Sequence, residues 1–289
     1  MKRSKKIEVI DNASSVFPYN LKQIKNPPKV LYCIGDLSLL PSLSIAAVGS
    51  RKFSAYGRKM ATMIGETVGR SGITVVSGMA YGIDSFSHEG ALDAGGKTVA
   101  VLGTGIGRAY PARNSGLMER IEDEGLVISE YPEDFKGSKY SFPARNRIIS
   151  ALSEAVVIVE AGANSGALIT AGFAAEQGKG LFVVPCNLDD HLGLGGNLLI
   201  RDGATPLIVI DDLITHVGGM PVSKNDEGRY SLGVDEKRIM YFVTANQGTS
   251  VDTISRELGL AVATAGAMLT IMEVKGALVT YGGRIYPAK

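Results

Sequence analysis

The chain has 289 residues, 45% of them hydrophobic, with 30 Lys and Arg against 29 Asp and Glu and a formal net charge of +1. That balance excludes a globally basic nucleic-acid binder, and no apolar run reaches the length of a membrane span. Two cysteines (Cys33 and Cys186) in separate apolar runs suggest reduced, buried thiols, and the three histidines (His88, His191, His216) lack ligand-like spacing, so no metal site is expected.

Residues 1–29 carry seven basic groups against two acids but no apolar stretch of the signal-peptide kind, so a cytoplasmic location is expected. Residues 1–43 show little regular pattern beyond Val30–Ile34 and are expected to wrap the main domain. From Ile45 one rhythm repeats: a β-rich apolar run, a glycine-bearing loop, then a helical pattern. The runs are Ile45–Val48, Ile73–Val76, Thr98–Leu102, Leu126–Ser129, Val156–Val159 and Leu181–Val184, with Pro206–Ile210 as an expected last strand. Their unbroken apolarity fits strands buried on both faces of a parallel sheet. Residues 44–217 therefore predict an α/β domain, a Rossmann-like, doubly wound, mostly parallel sheet. Residues 44–213 carry fifteen basic groups against nineteen acids, so a polyanion site there must be a local cluster.

Residues 218–236 read as a linker. After it, residues 237–289 pattern as helices over Lys237–Thr244, Val251–Leu258 and Ala261–Lys275. Two short strands follow, Ala277–Tyr281 and Arg284–Pro287, joined at Gly282-Gly283. Three helices and a β-ribbon describe a small C-terminal winged-helix domain. Its third helix has no basic residue from Val262 to Glu273, which argues against DNA reading and for packing or protein docking.

Ligands on doubly wound sheets collect at the carboxyl ends of the strands. Four loops meet there: Gly49-Ser50-Arg51, Ser77 to Gly82, Gly103-Thr104-Gly105, and Gly162 to Gly166. The segment Ser141-Phe-Pro-Ala-Arg-Asn-Arg147 reaches the same rim, with Pro143 suited to a first helical turn. Its Arg145, Asn146 and Arg147 beside Phe142 would suit phosphate held by guanidinium groups and a base stacked on the ring. The alternative is a capped surface helix with solvated arginines and a core Phe142. Gly49, Ser50 and Arg51 offer a tight turn, a hydroxyl and a fork of donors. Ser165 and Gly166 open a helix whose N–H groups could face an anion. No Walker A lysine follows, and after Gly49 the next glycine is Gly57, which disfavours NAD. Residues 161–175 hold no acid and no histidine lies in the four loops, while Asp84 and Glu160 could simply cap helices or satisfy loop amides. Donors without an acid–base pair predict binding rather than catalysis and no cofactor.

Taken in order, these motifs resemble the DprA/Smf family of DNA-processing proteins over roughly residues 20–215. The matching stretches are Gly49-Ser50-Arg51, Ser77 to Asp84, Gly103-Thr104-Gly105 with Tyr110-Pro111, Ser129 to Pro132, Phe142 to Ile149, Ser165 to Leu168, and Asn197 to Ala204. The resemblance implies a non-enzymatic dimer that binds single-stranded DNA and helps load RecA recombinase during natural transformation. Carried over, Arg51 would hold backbone phosphate, and Lys139, Arg145 and Asn146 would line the same pocket. Phe142 would support a base, and Ser165 and Gly166 would add phosphate contacts. The dimer surface would fall near Asn197–Leu213. Two departures stand out: residues 1–30 are too short for the family's helical N-terminal domain, and the loop after Pro185 lacks its usual Pro-Gly opening. The alternative from another class is a nucleotide-processing enzyme of the phosphoribohydrolase type, which shares the sheet plan. Leu168 and Ile169 stand where such an enzyme would want its acid.

Overall fold

A computed structural model describes residues 5–221, 233–246, 248–275 and 277–287. Its contacts divide the chain into two units, Met1–Val222 and Ser223–Lys289.

The first unit is built on nine strands: β1 (Glu8–Asp11), β2 (Val30–Gly35), β3 (Ser44–Val48), β4 (Thr74–Ser77), β5 (Thr98–Leu102), β6 (Leu126–Ser129), β7 (Ala155–Ile158), β8 (Gly180–Val183) and β9 (Thr205–Pro206). Between them lie the helices α1 (Tyr19–Gln23), α2 (Ala55–Arg70), α3 (Ile83–Asp93), α4 (Ser115–Glu124), α5 (Ser141–Leu152), α6 (Ala167–Glu176), α7 (Leu194–Arg201) and α8 (Ile210–His216). The strand order is β1-β2-β6-β5-β4-β3-β7-β8-β9, parallel from β6 to β9. Strands β1 and β2 run antiparallel at the β6 edge.

Every residue of β3, β4, β5, β6 and β7 is buried, and successive side chains serve opposite faces. Ala46, Val48, Val156 and Ile158 pack with Ile148, Ile149, Ala167 and Ala171 of α5 and α6. Ile45, Ala47, Ala155 and Val157 pack with Ala61, Ile64, Ile83 and Leu213 of α2, α3 and α8 on the other face. The continuous apolar runs thus mark strands sandwiched between helices, as the α/β reading expects.

Two expectations need correction. The Pro206–Ile210 strand shrinks to Thr205–Pro206, and Ile210 instead opens α8, whose first turn holds Asp211 and Asp212. Carboxylates are favoured at a helix N-terminus, and this pair decides the local structure. The region before residue 44 extends the sheet: β1 pairs with β2 and β2 with β6. Four residues with only Ile10 buried are too short to leave a periodic signal. In addition, Cys33 is buried and its thiol pKa is pushed up to about 12 by that burial, whereas Cys186 is half-buried.

The second unit contains α9 (Val234–Ala245), α10 (Val251–Leu258), α11 (Val262–Val274) and the hairpin β10 (Leu278–Tyr281) and β11 (Arg284–Pro287). Both hairpin glycines have positive φ, 57° at Gly282 and 75° at Gly283, the conformation a two-residue turn of this hand demands. Ile239, Val243, Ile254, Leu269, Met272, Leu278 and Ile285 form its core. Residues 222–232 of the expected linker lie outside the described residues. Among the described residues no single helix is long and apolar enough to cross a membrane.

Candidate nucleic-acid interface

Strands β3 and β7 are neighbours, but the chain leaves β3 towards β4 and leaves β7 towards β8. Their following loops therefore part, and a crevice opens at this switch point. A cleft of about 490 Å³ occupies it. Among its lining residues are Gly49, Ser50, Arg51, Lys139, Phe142, Arg145, Asn146, Ser165 and Gly166. Nine of the ten residues singled out from the sequence are thus brought together from three separate segments.

The loop after β3 is held by backbone bonds: the Ser50 amide donates to the Glu160 carbonyl (2.7 Å), and the Ile83 amide to the Ser50 carbonyl (3.4 Å). The Ser50 hydroxyl accepts from the Lys52 amide (3.0 Å). Glu160 accepts from the amide (2.8 Å) and hydroxyl (2.5 Å) of Ser54, the residue that caps α2. With those contacts its carboxylate is a structural clasp. Arg51, Lys52 and Lys139 are exposed. Among the described residues none of the three has an ion-pair partner. Arg51 holds its guanidinium 5.7 Å from the centroid of the half-buried Phe142 ring. On the far wall the Asn146 side-chain amide donates to the Gly166 carbonyl (3.4 Å), linking the second turn of α5 to the N-cap of α6, and the Ser165 hydroxyl accepts from the Ala167 amide (3.3 Å).

Arg145 lines the cleft but is not a free cation. It is 4% exposed, and its Nη1 donates to the Gly78 carbonyl (2.7 Å) and to that of Val101, tying the ends of β4 and β5 to α5. A Cβ at Gly78 would sit 2.7 Å from the guanidinium and would force it to shift. Burial pulls the Arg145 pKa down to about 10, while the charge of Asp84 works against that fall. Asp84 is also buried, which raises its pKa against the pull of Arg145, and it accepts from the amides of Gly49 (3.3 Å) and Ala80 (3.4 Å). A guanidinium and a carboxylate under the floor therefore lock the ends of three strands, β3, β4 and β5, together. Arg145 thus lines the cleft as expected, but as a pinned wall: its Nη1 serves two backbone carbonyls and its Nε the side-chain oxygen of Asn146 (3.2 Å).

Arg147 is the residue the fold does not bring to the cleft. It makes a two-pronged ion pair with Glu130 (2.8 and 2.6 Å) and donates to the Asn26 carbonyl (2.9 Å). It lines a separate hollow of about 570 Å³ with Lys25, Phe173, Gln177 and Lys179. One position along a helix turns a side chain by about 100°, so the neighbour of Asn146 faces elsewhere.

Sequence reasoning missed Lys52, Ile169 and Thr170 of the lining, whereas one of its readings of Asp84, a carboxylate satisfying loop amides, is what the structure shows. A signal for the basic ones was available: residues 37–65 and 135–153 contain no Asp or Glu and four Lys or Arg each.

Residues 8–218 match the family described as DNA recombination-mediator protein A. The chain is 40% identical to protein Smf of Synechocystis over 81% of its own length and 59% of that relative's. It is 39% identical to DNA processing protein DprA of Bacillus subtilis over 73% of this chain and 71% of that one. The structure of DprA from Streptococcus pneumoniae superposes with a TM-score of 0.70 at 37% identity, covering 73% of this chain and 74% of the other. DprA from Helicobacter pylori, whose structure concerns its single-stranded DNA binding mode, gives 0.67 at 33% identity over 74% and 97%. The chain therefore belongs to the DNA recombination-mediator protein A family, which includes the proteins called DprA and Smf.

Proposed function

We propose that the cleft binds single-stranded DNA without altering it, and that the chain acts as a dimer assisting RecA loading in natural transformation. One observation carries the binding reading. At the switch point three exposed cations, Arg51, Lys52 and Lys139, surround a half-buried aromatic ring beside the opening turns of α5 and α6. The cations suit phosphate, and the ring suits a base, whatever its sequence. Among the described residues Asp84 is the one carboxylate lining the cleft, and it is occupied by loop amides. Leu168 and Ile169 follow the loop where a phosphoribohydrolase would want an acid. Binding without turnover is the reading that this residue set supports. For the dimer, Ile208 (73% exposed) and Val209 (52% exposed) lie beside the two-residue edge strand β9, within the expected surface of Asn197–Leu213. The RecA partnership and a cytoplasmic location are proposed from the family resemblance alone.

The test is titration of a labelled oligothymidylate into the protein and its Arg51→Ala, Lys139→Ala double variant at two salt concentrations. Loss of two phosphate contacts should reduce the salt slope by about 1.4. Undiminished affinity in the double variant, or release of free base from nucleoside monophosphates, would remove the assignment.

A further inference from the structure

Rings and cations continue along this edge of the sheet past the cleft. Tyr110, between β5 and α4, lies 5.0 Å from Phe142 by ring centroids and is 45% exposed. Arg113 holds its guanidinium 4.3 Å from the centroid of Tyr81, which is 38% exposed. Phe53 meets the Tyr81 ring edge-on at 5.7 Å and the Phe86 ring at 4.8 Å, and the Arg58 guanidinium sits 5.0 Å from Phe86. These side chains come from the loops and helices after β3, β4 and β5, three adjacent strands. With strands about 4.8 Å apart, the β5 loop stands about 10 Å from the β3 loop, on the side away from β7.

The strip carries more cations than acids. Residues 94–118 contain no Asp or Glu, and Arg108 and Arg113 are exposed. Asp84 is buried beneath the strip and Glu89 lies near Arg58, while Glu133, of the loop after β6, accepts from the Gly107 amide through its carbonyl (3.2 Å) and so stands beside Arg108. An arginine stacked on tyrosine is a usual packing element when covered. Here Arg113 and Tyr81 are both exposed, so the planar guanidinium has a face open to another flat group. Guanidinium planes and exposed tyrosines are the two surfaces on which unpaired bases stack.

We propose that Tyr81, Arg113 and Tyr110 form a second nucleotide subsite, taking a base of the same single strand beyond the nucleotides held in the cleft. Arg108 would meet the intervening phosphate. This rests on the cleft being a single-strand site, and it predicts a binding path that runs from the switch point across β4 to β5.

The experiment uses the full chain, with Tyr81→Ala, Arg113→Ala and the ring-preserving Tyr81→Phe. Affinity is measured by fluorescence anisotropy for oligothymidylates of about 4 and about 16 nucleotides. Both alanine variants should bind the long strand about tenfold more weakly while binding the short one within about twofold of the unaltered protein. Tyr81→Phe should match the unaltered protein on both. Arg108→Ala should lower the salt slope for the long strand by about 0.7, as the loss of one phosphate contact. Long-strand affinity unchanged in Tyr81→Ala and Arg113→Ala would overturn the subsite and leave the cleft reading intact. Equal losses on both strands would also overturn it, because the effect would then act through the cleft. No binding of either strand by the unaltered protein would remove the cleft reading and the subsite with it.

Discussion

Replacing Arg145 by methionine keeps much of the side chain's length and removes its charge and donors. Two carbonyls, those of Gly78 and Val101, lose the donor that satisfies them, and Asp84 loses the cation that offsets it. Stranding one partner of a buried charge pair costs about 3–5 kcal/mol. Each orphaned carbonyl adds about 1–3 kcal/mol where water cannot reach it. The sum has a ceiling, because Asp84, whose pKa burial already raises, can take up a proton and stop being a bare charge. The expected loss is therefore about 4 kcal/mol, or about 10 °C in Tm for a domain of this size. Urea unfolding followed by circular dichroism measures it. Adding Asp84→Asn to the methionine variant should recover part of the loss, since no carboxylate is then left unpaired. At a temperature where both variants are folded, Arg145→Met should weaken DNA binding less than Arg51→Ala does. An Arg145→Met protein within about 1 kcal/mol of the unaltered one would refute the pinned-wall account, and so would a binding loss exceeding that of Arg51→Ala.

Phe142→Ala should weaken oligonucleotide binding by about 1–3 kcal/mol with an unchanged salt slope, and a change in slope would show that the ring acts through the neighbouring Arg51 instead. The ring of His88 is fully buried: its Nδ1 lies 2.5 Å from Thr98 Oγ1, whose own proton goes to the Val75 carbonyl, so Nδ1 carries the hydrogen and Nε2 stays bare. Burial lowers the His88 pKa to about 3. The unfolded chain therefore binds the extra proton first, and stability falls as pH drops from about 6.5 towards 3, by up to about 1.4 kcal/mol per unit. Urea midpoints for His88→Asn should fall less steeply over that window, and parallel curves would defeat the assignment. Ile208→Asp should shift the sedimentation profile from dimer to monomer without lowering Tm, and an unchanged profile would place the dimer surface elsewhere.

The strand positions of the sheet were legible because β3 to β7 are covered on both faces, which writes itself as uninterrupted apolar runs. The cleft was legible for a related reason: small residues and donors ended several of those runs, and parallel topology sends all their carboxyl ends to one edge. What stayed hidden was decided by contacts distant in sequence. Arg145 and Arg147 are two positions apart and look alike in a string, yet one is pinned beneath the rim and the other is clasped by Glu130. Strand β1 has a single buried residue, and β9 has only two residues before Ile210 opens α8.

The net charge of +1 and a polyanion site are compatible because the acids are placed, not balanced, along the chain. Residues 37–65, 94–118 and 135–153 bring the rim its cations and contain no acid, and residues 161–175 contain no charge at all. The acids lie mostly in helices and in the loop after β6, where exposed pairs such as Arg120 with Asp93 are screened by water. The two acids next to the cleft loops are consumed: Asp84 by Gly49, Ala80 and the field of Arg145, and Glu160 by Ser54. The cleft therefore presents cations in solvent above a neutralised floor. Attraction to a phosphate chain should then be short-ranged, confined to this edge, and lost when salt shortens the reach of those few charges to about 3 Å at 1 M.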